Sequence, residues 1–219
     1  MPISRPRTIL IAIAAAAVAG CARRDARLAP EPGVTFAAHR AGDRVALDRL
    51  PSGTPAALDP PRWPHLPDEP TFVLRAEGET RAALWTVGQS RVLVRRDADT
   101  TSPRVAEVLA AWDAGALRLT LFQDHGPTLA VDRFERAPPG ANPAPLSRAA
   151  PLGGTYRATA RDATGAAVGW LRVRIDPPLA PVYDGVLPDA IGDPLVAAIA
   201  VALDGEIRWI DEHQPASEQ

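Results

Sequence analysis

Proline sets the strongest limit on how this chain of 219 residues can fold. It contains 24 prolines, and seven of them lie between Leu50 and Pro70. Because proline has a fixed φ and no backbone N–H, that segment is predicted to form neither a helix nor a central strand. We expect residues 50–70 to be extended and irregular, with Trp63 packed onto the domain rather than stacked on a ligand. Two more proline-rich loops are predicted at 137–151 and 177–188.

The clearest structural pattern is a series of three β-prone runs that follow the first proline-rich segment. Gly88-Gln89 separates the last two runs and suits a two-residue type II′ turn with glycine first. Side chains alternate across a strand, so Val92 and Val94 share one face and Leu93 lies on the other with Arg91 and Arg95. A three-stranded meander is predicted from the runs Thr71–Ala76, Thr80–Val87 and Ser90–Arg96.

Three further strand pairs are predicted from the same alternation and from turn residues between the runs. They are Val34–Ala38 with Asp43–Leu47, Ala116–Gln123 with Leu129–Phe134, and Gly154–Ala160 with Ala166–Ile175. In the strand Ala166–Ile175, the alternating apolar residues Leu171, Val173 and Ile175 predict the buried face. The opposite face then carries Trp170, Arg172 and Arg174.

Two helices are predicted. The first begins after Ser102 as the N-cap and Pro103 at the first helical position, and it ends before Gly115. Its apolar residues repeat at i, i+3, i+4 and i+7, which predicts that Trp112 is a core residue. These apolar residues are Val105, Val108, Leu109 and Trp112.

The second helix begins at Asp193-Pro194, which reads as an N-cap followed by the first helical residue. Apolar residues keep helical spacing as far as Ile210, although Gly205 interrupts the run. An interior glycine costs up to about 1 kcal/mol relative to alanine. The helix therefore either continues through Gly205, the reading we favour, or breaks there and leaves 206–210 as a strand.

These elements predict an α+β fold, with a mainly antiparallel sheet of a meander and hairpins, two helices and long proline-rich loops. The predicted globular domain covers residues 34–213, and residues 214–219 form a disordered tail. The loop at 137–151 is a candidate boundary within the domain.

The N-terminal region has the charge and length pattern of a signal peptide. Arg5 and Arg7 precede an apolar run from Thr8 to Ala19, with no acidic residue. A helix of this length spans about 18 Å at 1.5 Å per residue, well short of the roughly 30 Å hydrocarbon core of a bilayer. A permanent transmembrane anchor is therefore not predicted.

The apolar run ends in Val18-Ala19-Gly20-Cys21, and Cys21 is the only cysteine of the chain. This tetrapeptide resembles the lipobox of bacterial lipoproteins. The resemblance covers residues 1–21 only, and it implies cleavage between Gly20 and Cys21 and acylation of Cys21. Two alternatives are an ordinary cleaved signal with an incidental cysteine, and a buried cysteine after an uncleaved helix.

The resemblance also implies a location. Ala22 follows the cysteine, whereas aspartate there is the usual inner-membrane retention signal in enteric-type bacteria. We therefore expect a lipid anchor in the outer membrane, with the protein facing the periplasm. Residues 21–33 are predicted to be the lipidated cysteine and a flexible tether.

Charge and composition exclude several functions. Removal of the signal peptide takes away Arg5 and Arg7. The mature chain then has 22 arginines and 26 acidic residues, a net charge of −4. A nucleic-acid partner is not expected, because the chain has no basic excess. All basic side chains except histidine are arginine, so a Schiff-base lysine, a Ser-Lys dyad and a phosphate-binding P-loop lysine are excluded.

The usual catalytic and metal-binding motifs are missing from the sequence. Its four histidines have no metal-site spacing, and no CxxC pair, nucleophile elbow, glycine-rich nucleotide loop or P-loop occurs. Paired carboxylates lie at turns or ends, where acids are commonly solvated. No catalytic residue, metal or cofactor is predicted; the histidines are His39, His65, His125 and His213, and the carboxylate pairs are Glu77/Glu79, Asp97/Asp99 and Asp211/Glu212.

A binding surface is the remaining candidate. Leu93, Trp170, Arg172 and Arg174 are predicted on outward strand faces, and tryptophan and arginine are enriched in binding hot spots. The alternative is that a helix or the proline-rich segment covers that face.

We therefore expect a non-catalytic outer-membrane lipoprotein that binds or assembles with another protein of the cell envelope. The alternatives are a periplasmic hydrolase whose carboxylates or histidines converge only in the fold, and a structural spacer. The oligomeric state and the identity of the partner do not follow from the sequence.

The lipid anchor can be tested by Cys21→Ala. The variant lacks the thiol that accepts the lipid, so we expect it to lose all acyl labelling and to change precursor processing. Metabolic labelling with a fatty-acid analogue and fractionation of cells measure both effects. A variant that still fractionates as a processed, acylated membrane protein would refute the lipobox reading.

Overall fold

A computed structural model describes residues 33–42, 44–60, 69–124, 128–137, 144–149, 152–177 and 179–213. These residues form thirteen β-strands and one α-helix. The elements are β1 Phe36–Ala41, β2 Arg44–Arg49, β3 Ala56–Asp59, β4 Phe72–Ala76, β5 Glu79–Val87, β6 Arg91–Arg95, β7 Arg104–Asp113, β8 Ala116–Gln123, β9 Leu129–Val131, β10 Glu135–Ala137, β11 Gly154–Arg161, β12 Ala167–Ile175, β13 Val182–Val186 and α1 Asp193–His213.

All the strands belong to one antiparallel sheet. Its order is β2-β1-β13-β12-β11-β9-β8-β7-β6-β5-β4-β3, and β10 pairs with β11 beside β9. The two end strands, β2 and β3, also contact each other, so the sheet is nearly closed. The strands on both sides of the 137–151 loop join this sheet, because β9 and β10 each pair with β11.

Helix α1 is enclosed by the sheet. Its residues from Leu195 to Asp204 are all buried, and ten consecutive residues cover every side of a helix with 3.6 residues per turn. A helix that is apolar all round needs partners on all sides. The curved sheet supplies them, and α1 contacts β1, β2, β5, β6 and β7.

The first predicted helix is wrong, because residues 104–113 form the central strand β7. Ala106, Val108 and Ala110 alternate into the core there, and β7 pairs with both β6 and β8. The run of valine, alanine and leucine fits a helical period and a strand period alike. Gly115 does not stop a helix; Ala114 and Gly115 both have positive φ, 50° and 79°, and form the tight turn into β8.

The predicted loop at 177–188 is also wrong, because β13 lies within it. Pro177, Pro181 and Pro188 flank the strand rather than interrupt it. β13 pairs with β1 and β12 and is therefore central to the sheet. The α+β class with two helices is corrected accordingly: the described fold is mainly antiparallel β with a single helix.

Several other predictions are confirmed. The meander forms as β4, β5 and β6, the hairpin of β11 and β12 forms, and α1 continues through Gly205. The turn after Val87 has three residues rather than two, because Val87 pairs with Arg91. Residues 56–59 of the first proline-rich segment form the end strand β3, and Trp63 lies outside the described residues.

Helix α1, the single helix among the described residues, is not long and apolar enough to cross a membrane. The N-terminal apolar run, Gly20 and Cys21 lie outside the described residues.

Close packing at β13 generates a stability prediction for Gly185→Ala. The added Cβ would overlap the Trp170 carbonyl oxygen and would lie 2.8 Å from Cε1 of Phe36. Because β13 is central, the backbone must shift, and we expect a loss of about 1–3 kcal/mol in the free energy of unfolding.

Urea denaturation of the purified protein measures this loss. Gly153→Ala is the matched control, because a Cβ there meets no atom within 4 Å. Equal unfolding midpoints for the two variants would contradict the packing described at β13.

Candidate functional site

Trp170, Arg172 and Arg174 come together on β12, as the sequence predicts, but their charges are engaged around a buried acid. Asp184 on β13 is completely buried, and it accepts hydrogen bonds from Arg172 Nε at 2.8 Å and Arg172 Nη2 at 2.9 Å. Arg174 Nη2 donates to the same carboxylate at 3.0 Å. The two arginines therefore tie β12 to β13, and their side chains are only 10% and 11% exposed.

Trp170 is half-buried between arginines. The Arg157 guanidinium lies 4.4 Å from its ring centroid and that of Arg172 lies 5.2 Å away. Both distances are in the cation–π range. The indole is thus already engaged by the arginines of its own sheet.

Leu93 does not join this cluster. It lies on β6, five strand positions from β12 in the sheet order, or about 24 Å at a spacing of 4.8 Å per strand. The four residues predicted as one binding surface therefore occupy two separate parts of the sheet.

A different apolar surface surrounds Leu93. Trp85, Leu93, Glu107 and Phe122 lie directly opposite one another across β5, β6, β7 and β8. The neighbouring row brings Val87 beside Arg91 and Leu109. We call this surface the β5–β8 face; its apolar members are Trp85, Val87, Leu93, Leu109 and Phe122.

The β5–β8 face carries the exposed large hydrophobic side chains of the described residues. Val87 is 48% exposed and Phe122 is 39% exposed. The Nε1 atom of Trp85 is buried and has no hydrogen-bond partner in the structure. Large apolar side chains grouped in water usually mark an interaction site.

The charged centre of the β5–β8 face is a hydrogen-bonded cluster of two arginines and one glutamate. Glu107, whose side chain is 7% exposed, accepts hydrogen bonds from Arg91 Nε at 2.7 Å and Arg91 Nη2 at 3.1 Å. Arg104 Nη1 donates to it at 2.7 Å. The hydrogen bonds to Glu107 raise the pKa of Arg91. The Arg95 guanidinium lies 5.6 Å from the Trp85 ring centroid.

Helix α1 carries a further buried acid, Asp204. Its carboxylate accepts hydrogen bonds from Arg40 Nε at 2.8 Å, the Tyr183 hydroxyl at 2.7 Å and Arg208 Nε at 2.7 Å. Burial, followed by the charge of Asp204, raises the pKa of Tyr183 well above its usual value. Tyr183 therefore stays a neutral donor. The bonds from Arg40 and Tyr183 join α1 to β1 and β13, and the bond from Arg208 lies within α1.

Glu206, two residues further along α1, is also buried. Trp112 Nε1 donates to its Oε2 at 2.6 Å and Arg148 Nη2 at 2.9 Å, while Oε1 is buried without a hydrogen-bond partner. The Arg148 guanidinium lies between two indoles, 4.7 Å from Trp112 and 4.1 Å from Trp209. Trp112 packs against the core as predicted, but it does so from a strand.

The described histidines are separated. His39 Nδ1 lies 2.8 Å from Asp48, and His213 stacks on Trp209 with ring centroids 4.5 Å apart. His65 and His125 lie outside the described residues. No cluster of histidine, cysteine and carboxylate residues able to hold a metal occurs within the ranges that the structure describes.

Sequence reasoning missed the buried acids Asp184, Asp204 and Glu206. Asp204 and Glu206 follow directly on the apolar run of α1, and that position was the available signal, since a charge beside such a run is buried with its helix. Asp184 gave no signal, because the strand that contains it was predicted as a loop. Comparison of the chain with protein-family models, curated proteins and solved structures finds no match.

The buried ion pairs generate a prediction for Asp184→Ala. Two guanidiniums lose the carboxylate they share inside the protein, and breaking such a pair costs about 3–5 kcal/mol of stability. Urea unfolding monitored by tryptophan fluorescence measures the change.

Asp132→Ala is the control. Arg161 Nε contacts Asp132 at the same 2.8 Å distance, but the two side chains are 42% and 45% exposed. An exposed pair contributes about 0–1 kcal/mol. Similar losses in the two variants would show that burial does not set the strength of the Asp184 cluster.

Proposed function

We propose that this protein is a non-catalytic lipoprotein, anchored through Cys21 in the outer membrane and facing the periplasm, that binds another protein of the cell envelope. The β5–β8 face is the binding surface. The observation that carries this proposal is that Val87 and Phe122, the exposed large hydrophobic side chains of the described residues, lie on the same sheet face as Trp85 and Leu93.

The composition of the β5–β8 face supports a protein partner. Binding hot spots combine large apolar or aromatic side chains with arginine, surrounded by a polar rim. Here the apolar side chains lie beside an Arg–Glu–Arg cluster whose hydrogen bonds are formed without a partner. A preorganised surface loses less side-chain entropy on binding.

The charges of the face define the partner further. Four arginines and two acids occupy its outward positions on β6, β7 and β8. We expect the partner to present apolar side chains flanked by carboxylates, which would pair with these arginines. The arginines are Arg91, Arg95, Arg104 and Arg118, and the acids are Glu107 and Asp113.

The Trp170 cluster is a weaker candidate for the same role. Its arginines hold Asp184 and are only 10% and 11% exposed. Arg91 and Arg104 of the β5–β8 face also hold a buried acid, Glu107, but they are 42% and 46% exposed and accessible to a partner. We therefore assign partner binding to the β5–β8 face and a structural role to Arg172 and Arg174.

Phe122→Glu tests the proposal. The substitution places a charge among the exposed apolar side chains without entering the core, so we expect the fold to persist and partner recovery to fall at least tenfold. Loss of a hot-spot contact of 2 kcal/mol or more corresponds to a change of this size. The measurement is crosslinking of the lipidated protein in intact cells, detergent extraction and quantification of the protein that co-purifies.

Ala167→Glu is the control, because it adds the same charge at an exposed position of β12. Trp170→Ala tests the other cluster in the same assay. Partner recovery that survives Phe122→Glu but is lost in Trp170→Ala would move the binding surface to β12. Recovery of the protein alone from wild-type cells would contradict the proposed function.

A further inference from the structure

A cavity of about 340 Å³ lies beside the last turns of α1. Ligand pockets in proteins have volumes of about 300–1,000 Å³, so the cavity has room for a small organic molecule. Two of the residues around it are charged, Arg40 and Asp211, and the remainder are apolar or glycine. These others are Gly42, Leu152, Ile175, Pro177, Leu179, Ala180, Pro181 and Ile207.

Arg40 lines the cavity, and hydrogen bonds to Asp204 hold its guanidinium from the side away from the cavity. Its Nε donates to Asp204 at 2.8 Å, and its Nη2 donates to the Asp204 carbonyl oxygen at 3.4 Å. Asp204 is itself bonded to Tyr183 and Arg208, so the guanidinium is held by a buried network. Its side chain remains 15% exposed. A cation positioned in this way is preorganised for an anion.

The third guanidinium nitrogen of Arg40, Nη1, indicates the kind of anion that the cavity would bind. Nη1 lies 3.6 Å from the carboxylate of Asp211, which is too far for a good hydrogen bond. The Asp211 side chain is 67% exposed, whereas that of Asp204 is 4% exposed. A weakly held, exposed carboxylate therefore occupies the place that a ligand carboxylate would take with shorter hydrogen bonds.

We infer that this cavity binds a monocarboxylate with an unbranched apolar chain. The ligand carboxylate pairs with Arg40 in place of Asp211, and its chain lies along Ile175, Leu179 and Ile207. The anion is neutralised by a guanidinium that the network of Asp204 already orients, and the chain leaves water for an apolar wall.

The inference makes Asp211 a competitor of the ligand. Its removal frees Arg40 and also removes a negative charge from the mouth of the cavity. Asp211→Asn is therefore expected to tighten the binding of a carboxylate about two- to fivefold, the range that corresponds to an exposed ion pair. A cationic ligand would respond in the opposite direction.

The test measures binding of sodium decanoate, below its micelle-forming concentration, to the mature chain from residue 21 with Cys21→Ala, which needs no detergent. Isothermal titration calorimetry compares it with decyltrimethylammonium and decanol, which have the same chain with a cationic or a neutral head. We expect decanoate to bind at least tenfold more tightly than either. Equal binding of the three, or no binding of decanoate, would overturn the inference.

Two variants locate the site. Ala180 lines the cavity, so Ala180→Phe is expected to occupy part of it and to weaken decanoate binding at least tenfold. Ala167→Phe adds the same ring at the far end of β12 and should leave binding unchanged. Circular dichroism spectra confirm that both variants fold. Decanoate affinity that is unaltered by Ala180→Phe, or weakened by Asp211→Asn, would refute the assignment.

Discussion

Complete burial of one helix is the constraint on which the rest of this structure depends. Residues Leu195 to Asp204 of α1 are all buried, so other parts of the chain must pack around the whole circumference of the helix. A single sheet of ordinary twist reaches around a helix only if it is long and strongly curved. The thirteen strands, the near contact of β2 with β3 and the lack of a second helical layer among the described residues all follow from that requirement.

The same burial explains the charged residues of the core. The polar end of α1 enters the sheet together with its apolar part, so Asp204 and Glu206 lose water and must find partners in the protein. Arginine suits this role, because its planar guanidinium donates in fixed directions and stacks on indole rings. The result is a set of arginine-centred contacts that connect α1 to distant strands, including Arg40 on β1 and Arg148 before β11.

How far the sequence predicts this fold depends on how unambiguous each local pattern is. The meander and α1 were predictable, since Val92 with Val94 has a clear period of two and Asp193-Pro194 marks a helix start. β7 was not, because its alanine-rich run suits both periods and only its central position in the sheet selects the strand. The candidate site was also predictable only in part. Alternation of side chains along a strand predicts that Trp170 and Leu93 lie on outer faces. It does not predict how far apart they lie in the sheet or that Arg172 pairs with Asp184, because both depend on how the strands assemble.

The pairing of β1 with β13 has a consequence for folding. Thr35 donates its backbone N–H to Gly185, a residue 150 positions further along the chain. Proteins rich in such distant pairings fold slowly, because the entropy of closing the loop is lost before the contact is gained. During synthesis, β1 has no partner on this side until β13 has left the ribosome. The chain thus remains without a closed core for most of its translation, and its apolar strands stay accessible to other chains during that time.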